Sequence, residues 1–175
     1  MSRNLKGMMS SDRQDWGTPD SFMEWLGETK GFYPDLDAAA SDDNTKAPSY
    51  FTKEDDALKQ DWFGSVWLNP PFGNEIAGFM QKCAEQIKRP EVKEIYVLIP
   101  ARTDTKWFHE IVMPHAYLVY LIKGRFNFRF DRAVPSANAP FPSMLIVYRP
   151  PRKRPMIHAG IVTLDVPKEA RGFGV

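Results

Sequence analysis

Ser65-Val66-Trp67-Leu68-Asn69-Pro70-Pro71-Phe72 is an apolar run that meets an amide, two prolines and an aromatic ring. The first four residues read as a strand. Proline has no N–H for a ladder and fixes its own φ, so the strand stops at Asn69 and the backbone enters a stiff, preset loop. That loop presents an amide side chain and a carbonyl beside an aromatic face. Such a group suits the exocyclic amine of a planar ring. The Asn69 amide oxygen and the Pro70 carbonyl can each accept one of its hydrogens, and Phe72 can stack on the ring. The competing reading of the four residues is an ordinary Asx turn.

Outward from this motif, strands and helices alternate. Upstream, Thr18-Pro19-Asp20 reads as a helix start. Thr18 is its cap, Pro19 its first residue, and Asp20 sits at the positive end. A helix over 19–28 carries Phe22, Trp25 and Leu26 on one face and ends at Lys30-Gly31. A short strand is expected to end at Asp37, followed by the small residues Ala38-Ala39-Ala40. A second strand is expected at Tyr50-Phe51-Thr52, before the acidic run Glu54-Asp55-Asp56.

Downstream, 74–88 has Ile76, Phe79, Met80, Cys83 and Ile87 on one helical stripe. Ile95 to Ile99 is apolar throughout, the pattern of a strand covered on both faces. A helix over 106–112 and strands over 116–122 and 143–148 follow. This order predicts an α/β fold of Rossmann-like type, with a mostly parallel sheet and helices on both faces. Ligands in such sheets sit at the carboxyl ends of the strands. Asp37, Asp56 and Asn69 all lie at or just past such ends.

The chain has 175 residues, 43% hydrophobic and 13% aromatic, with a formal charge of +1. That length predicts one domain over 12–149, after a loose polar leader over 1–11 and before a basic, proline-rich tail over 150–175. Near-neutral charge excludes a global basic field, so any nucleic-acid contact must be local. One cysteine excludes an internal disulfide and a thiolate zinc site, and three scattered histidines argue against a His-based metal site. No apolar run reaches a membrane-spanning length and no signal-peptide pattern opens the chain. The expectation is a cytoplasmic protein with no metal and no membrane partner.

Asn69-Pro70-Pro71-Phe72 after an apolar strand resembles the catalytic motif of amino methyltransferases that use S-adenosylmethionine. Further segments narrow the likeness: Trp16-Gly17-Thr18-Pro19, Leu36-Asp37-Ala38-Ala39-Ala40, and Tyr50-Phe51-Thr52 with Asp55-Asp56. So do Pro100-Ala101-Arg102-Thr103-Asp104-Thr105-Lys106-Trp107-Phe108-His109, Lys123-Gly124-Arg125-Phe126 and Ala139-Pro140-Phe141-Pro142-Ser143-Met144. In this order and spacing the set resembles the phage-type, Dam-like DNA N6-adenine methyltransferase family, over roughly residues 12–148.

The resemblance implies that Asn69, Pro70, Pro71 and Phe72 form the catalytic loop around an adenine flipped out of duplex DNA. It implies S-adenosylmethionine as cofactor, with Asp37 at the methionine ammonium. Ala38 and Ala39 then stand where many methyltransferases have glycines, and Asp55 or Asp56 meets the ribose. Trp16, Thr18 and Pro19 resemble the segment that closes over the methionine end. The implied site is short, GATC being the one suggested, and is read by loops over 101–115 and 127–142 or by the tails.

Plainer readings stand beside these. Asp37 is equally a turn cap, and Asp55 and Asp56 equally a solvated acidic loop. Trp16 is also a possible core aromatic. Arg102 and Lys106 follow an apolar strand at the ligand edge and are read as DNA contacts rather than plain surface charges. Lys123, Arg125, Arg129 and Arg132 alternate with Phe126, Phe128 and Phe130. That is either a DNA-facing ribbon, the reading preferred here, or a strand with one wet face. Cys83 and His109 read as packing and surface residues. The competing functions are methylation of RNA or protein and a catalytically silent DNA-binding protein of the same fold.

Overall fold

The computed structural model describes residues 16–128, 137–151 and 158–173. Seven strands form one sheet in the order β2-β1-β3-β4-β8-β5-β9. They are β1 (Leu36–Asp37), β2 (Ser49–Tyr50), β3 (Gly64–Leu68), β4 (Val92–Pro100), β5 (Leu118–Lys123), β8 (Ser143–Tyr148) and β9 (Gly160–Asp165). The β1–β2, β1–β3, β3–β4 and β5–β9 pairs are parallel. Only β8 runs against its neighbours, β4 and β5. The expected α/β architecture with a mostly parallel sheet is what the chain adopts. A two-stranded ribbon, β6 (Asn127–Phe128) with β7 (Ala137–Asn138), stands beside it.

β3, β4 and β8 are apolar along most of their length because helices cover both faces of the sheet. Register partners share a face, which puts Asp37, Trp67 and Tyr96 on one side. Helix α1 (Asp20–Lys30) lies there. Phe22 meets the Trp67 ring at 6.3 Å, and Phe32, just after the helix, stacks on Tyr96 at 4.0 Å. Helix α2 (Ile76–Gln86) covers the other face, where the Tyr148 hydroxyl reaches the Met80 sulfur at 3.7 Å. Phe22, Leu26, Ile76 and Met80 are fully buried, and each such side chain contributes roughly 1.5–3 kcal/mol of transfer free energy.

Several local details differ from the expectation. Helix α1 begins at Asp20, with Pro19 extended at its N-cap, and no side chain caps it. Thr18 is therefore not the cap: its hydroxyl is turned inward and buried. Gly31, at φ 65°, closes the helix. Its N–H reaches the Gly27 carbonyl while the Phe32 N–H reaches the Leu26 carbonyl, a paired closure that needs a left-handed residue.

The expected helix over 106–112 is wound as a π-turn (Phe108–Val112) that runs into α3 (Met113–His115). Pro114 has no N–H to continue a regular ladder there. The largest correction is at the C-terminus. Residues 160–165 are not tail but the edge strand β9, paired along its length with β5. The turn after it packs back on α1, where the Ser21 hydroxyl donates to the Ala170 carbonyl at 3.2 Å. Sequence reading missed β9 although Ile161-Val162-Thr163-Leu164 is an apolar, β-branched run of the strand type. The leader over 1–11, with Arg129, Phe130, Arg132 and the basic run over 152–155, lies outside the described residues.

Candidate active site

The sheet brings its functional residues to one edge. Asp37 ends β1, Asn69 follows β3, Pro100 ends β4, and Ser143 opens the reversed strand β8 opposite Pro100. Tyr96 and Pro100 lie an even number of residues apart on β4. Asp37, Trp67, Tyr96, Pro100 and Ser143 therefore share the face that carries α1.

Asn69 is held rather than loose. Its amide nitrogen donates a short hydrogen bond to the Trp16 carbonyl. A carbonyl can only accept, so this bond fixes which end of the amide is which. The amide oxygen is left buried with no hydrogen-bond partner among the described residues. Phe72 packs into a cluster of rings: Trp16 stacks on it at 6.4 Å, and Phe128 and Phe141 meet it edge-on at 6.2 and 5.5 Å. Trp16 also touches Phe141 at 5.2 Å and Phe128 at 5.7 Å. The segment 16–18 thus straps the mouth of β3. It is pinned from behind by Gly172, whose φ of 88° brings its Cα against Pro19 and the Asn127 carbonyl, where a Cβ would stand 2.8 and 2.6 Å from them.

Asp37 is 2% exposed, and both its oxygens are used. Oδ1 accepts the Ala39 N–H at 3.3 Å and Oδ2 the Lys46 N–H at 2.9 Å. Burial outweighs these bonds and raises its pKa from 3.8 to about 6. Lys46 carries its ammonium away to Asp20 at 2.6 Å, so the loop over 38–46 is tied to the start of α1.

The Ala38 N–H continues the sheet, bonding the Trp67 carbonyl at 2.9 Å, and the Ala40 N–H bonds the Phe51 carbonyl at 3.0 Å. Among the described residues the only non-glycine with positive φ is Asp56, at 54°. The turn at Ala38 and Ala39 therefore needs no left-handed residue, which is why alanine is tolerated there.

Asp55 and Asp56 lie past β2 in an exposed loop. Asp55 accepts the Thr52 N–H and hydroxyl at 2.8 and 2.9 Å, which hold its pKa below the usual range. Asp56 pairs with Lys59 at 2.9 Å, with the same direction of shift. Each thus has a local task.

Arg102, Lys106, Lys123 and Arg125 are all exposed. Lys106 faces Glu110 at 3.7 Å and Lys123 faces Asp165 at 3.3 Å. The DNA-facing reading of the aromatic ribbon does not hold for the rings that are described. Phe126 and Phe128 are fully buried, stacked on each other at 5.3 Å, and Phe126 meets Phe22 at 4.9 Å. Strand alternation explains it: 126 and 128 point inward, while Arg125 and Asn127 point outward. Burial drives the Cys83 thiol far above its ordinary value, so no thiolate nucleophile is available there.

Sequence reading quoted Phe141 and Ser143 within the segment 139–144 but gave neither a role. Phe141 supplies a wall of the ring cluster. The Ser143 hydroxyl is 1% exposed and has no hydrogen-bond partner. Its signal was a lone hydroxyl at the mouth of an apolar strand, the mirror of Asn69 at the exit of one.

Among the described residues, no cluster of three or more His, Cys, Asp or Glu is placed to hold a metal, and no helix is long and apolar enough to cross a membrane.

Comparison with known proteins places the chain in a family. The family model for DNA N-6-adenine-methyltransferase (Dam) matches residues 6–170. The chain is similar to the DNA N-6-adenine-methyltransferase of Haemophilus phage HP1, 26% identical over 161 residues, 91% of this chain and 92% of that protein. It is also similar to the DNA N-6-adenine-methyltransferase of Escherichia phage T1, 35% identical over 124 residues. That match covers 68% of this chain and spans half the length of the T1 protein. A match over residues 6–170 takes in every strand of the sheet, and the chain belongs to the DNA N-6-adenine-methyltransferase (Dam) family, a family of adenine-specific DNA methyltransferases.

Proposed function

We propose that this protein methylates N6 of adenine in duplex DNA, with S-adenosylmethionine as donor, on a base flipped out of a short site such as GATC. The observation that carries the reading is the Asn69 amide, anchored through nitrogen to the Trp16 carbonyl with its oxygen buried and unpartnered. A buried acceptor without a donor costs free energy unless a ligand completes it. An exocyclic amine is such a ligand.

The residues present also fit the cofactor. Asp37 is a buried carboxylate whose charge is expensive until a cation lies beside it, and the Thr18 hydroxyl is buried without a partner. Asp37 would hold the methionine ammonium. Thr18, with Trp16 and Pro19, would close over that end, and Asp55 or Asp56 at the end of β2 would meet the ribose. When bound, S-adenosylmethionine supplies an electrophilic methyl group on a sulfonium.

The protein's own part is positioning and electrostatics. The lone pair on N6 is delocalised into the purine ring, which makes the amine a poor nucleophile. The Asn69 oxygen and the Pro70 carbonyl accept its two hydrogens and favour a more tetrahedral nitrogen, with the lone pair freed toward the methyl. Pro71 stiffens the loop and Phe72 offers its ring to the base. Trp16 stacks on Phe72 at 6.4 Å and is part of the ring cluster around it. Arg102, Lys106, Lys123 and Arg125 would take phosphates along the same edge.

Methyl transfer from tritiated S-adenosylmethionine to duplex DNA, RNA and protein, compared side by side, tests the reading. Incorporation into duplex DNA as N6-methyladenine is expected. Label in RNA or protein alone would select the competing enzyme class, and calorimetry without cofactor binding would select a silent DNA-binding protein.

A further inference from the structure

Three buried side-chain polar atoms lack a hydrogen-bond partner among the described residues: the Thr18 hydroxyl, the Asn69 amide oxygen and the Ser143 hydroxyl. Native interiors leave few such atoms, and each asks for a cause. These three are not scattered. Trp16 bonds Asn69 through its carbonyl and touches Phe141 with its ring; Thr18 lies two residues beyond Trp16, and Ser143 two beyond Phe141. Thr18 and Asn69 already have assigned ligands. Ser143 has none.

From this we infer that Ser143 is a target-base contact, its hydroxyl donating to a ring nitrogen of the adenine whose amine is held by Asn69. The inference rests on the function proposed above and goes further, giving the base a second polar anchor. Three observations support the placement. Ser143 shares the sheet face of Asp37 and Trp67 and lies at the same end of the sheet as the methyl-transfer motif. It lies on the β4 side of Asn69, on the opposite side from Asp37, the residue proposed for the cofactor. β3 and β8 are separated by one strand, which sets their axes about 10 Å apart; a purine held by one hydrogen bond at each side spans a gap of that order.

The chemistry is selective in direction. Adenine offers only acceptors besides its amine, at N1, N3 and N7, and a serine hydroxyl can donate. The hydroxyl costs the free protein stability and returns it only when the base arrives, which biases binding toward a ring with a nitrogen at that place. The Phe141 ring, two residues earlier, walls the same approach.

The test pairs Ser143→Ala with duplex DNA carrying 1-deaza-, 3-deaza- or 7-deazaadenine at the methylated position. Wild-type protein is expected to lose about ten-fold in kcat/KM with one of the three analogues. S143A should lose about ten-fold on ordinary adenine and nothing further with that analogue. Its thermal unfolding should be unchanged or slightly higher, because the deleted hydroxyl bonds nothing in the free protein.

Equal sensitivity of wild type and S143A to every analogue would overturn the inference and leave the methyltransferase reading intact. So would wild-type indifference to all three, which with a slow S143A would move the hydroxyl to the DNA backbone. Wild-type protein that methylates no DNA at all would instead break the functional reading beneath it.

Discussion

Asn69 and Asp37 sit at the mouths of neighbouring strands, on one sheet edge and one face, yet they stand in opposite states. The Asn69 side is built and waiting: its amide is anchored through nitrogen, its oxygen has no donor, and Ser143 nearby is equally unpaired. The Asp37 side is already occupied. Both carboxylate oxygens take backbone N–H groups from the loop they organise, and burial still holds the group near pH 6. A waiting acceptor gains from its ligand without breaking an internal bond. An occupied carboxylate gains chiefly through charge, since an ammonium beside it lowers the cost of keeping it ionised. The target side should therefore act through the rate of methyl transfer and the cofactor side through affinity.

The comparison breaks first at Asn69. Asn69→Ala should cut kcat by about 10²–10³, the scale for losing one preorganised polar partner in a desolvated site, while S-adenosylmethionine affinity changes little by calorimetry. Near-normal turnover would leave the waiting acceptor without a role.

Asp37 gives the next largest effect. Asp37→Asn should weaken S-adenosylmethionine by about 10–100-fold with a far smaller change in the rate at saturation. In the wild type, affinity should fall about ten-fold from pH 7 to pH 5, as a group titrating near 6 takes up a proton and loses its attraction for the ammonium. The stability linkage runs the opposite way. A folded pKa raised from 3.8 to about 6 contributes stability in full below 3.8 and loses it as the pH rises through about 6. Ionised Asp37 therefore costs the free fold up to about 3 kcal/mol at neutral pH. Chemical denaturation of D37N against wild type at pH 4 and pH 7 should show the variant gaining relative stability at the higher pH. A flat difference would mean that the Ala39 and Lys46 bonds compensate the burial.

The basic residues should give the smallest effect. Alanine at Arg102, Lys106, Lys123 or Arg125 should weaken duplex binding less than ten-fold each and reduce the salt slope by about one, uniformly across sequences. A variant that changed the methylated site instead would mark a base contact rather than a phosphate contact.

Much of this arrangement was legible in the chain. The stop at Asn69 follows from proline chemistry alone, and the strand ends at Asp37 and Leu68 follow from apolar runs meeting polar or rigid residues. What failed was whatever depended on a distant partner. Thr18 has the residue type of a helix cap, yet its hydroxyl is buried under the strap rather than bonded to α1. Phe126 and Phe128 alternate with basic residues as a nucleic-acid ribbon would, yet Phe22 of α1 claims one and the Trp16 cluster the other. β9 carries the apolar run Ile161-Val162-Thr163-Leu164, but only its pairing with β5 makes it the edge of the sheet.

The sequence by itself determined the α/β alternation, the stiff Asn69–Phe72 loop and the acid at the end of β1, because strand ends, proline turns and capping acids are local physics. Only the tertiary structure decided which polar atoms are satisfied. That the Asn69 nitrogen is engaged depends on Trp16, 53 residues away in sequence, and that Ser143 stands buried and unpaired among the described residues depends on β8 lying between β4 and β5. Hydrogen-bond satisfaction is a property of the packed fold, and no residue carries it alone.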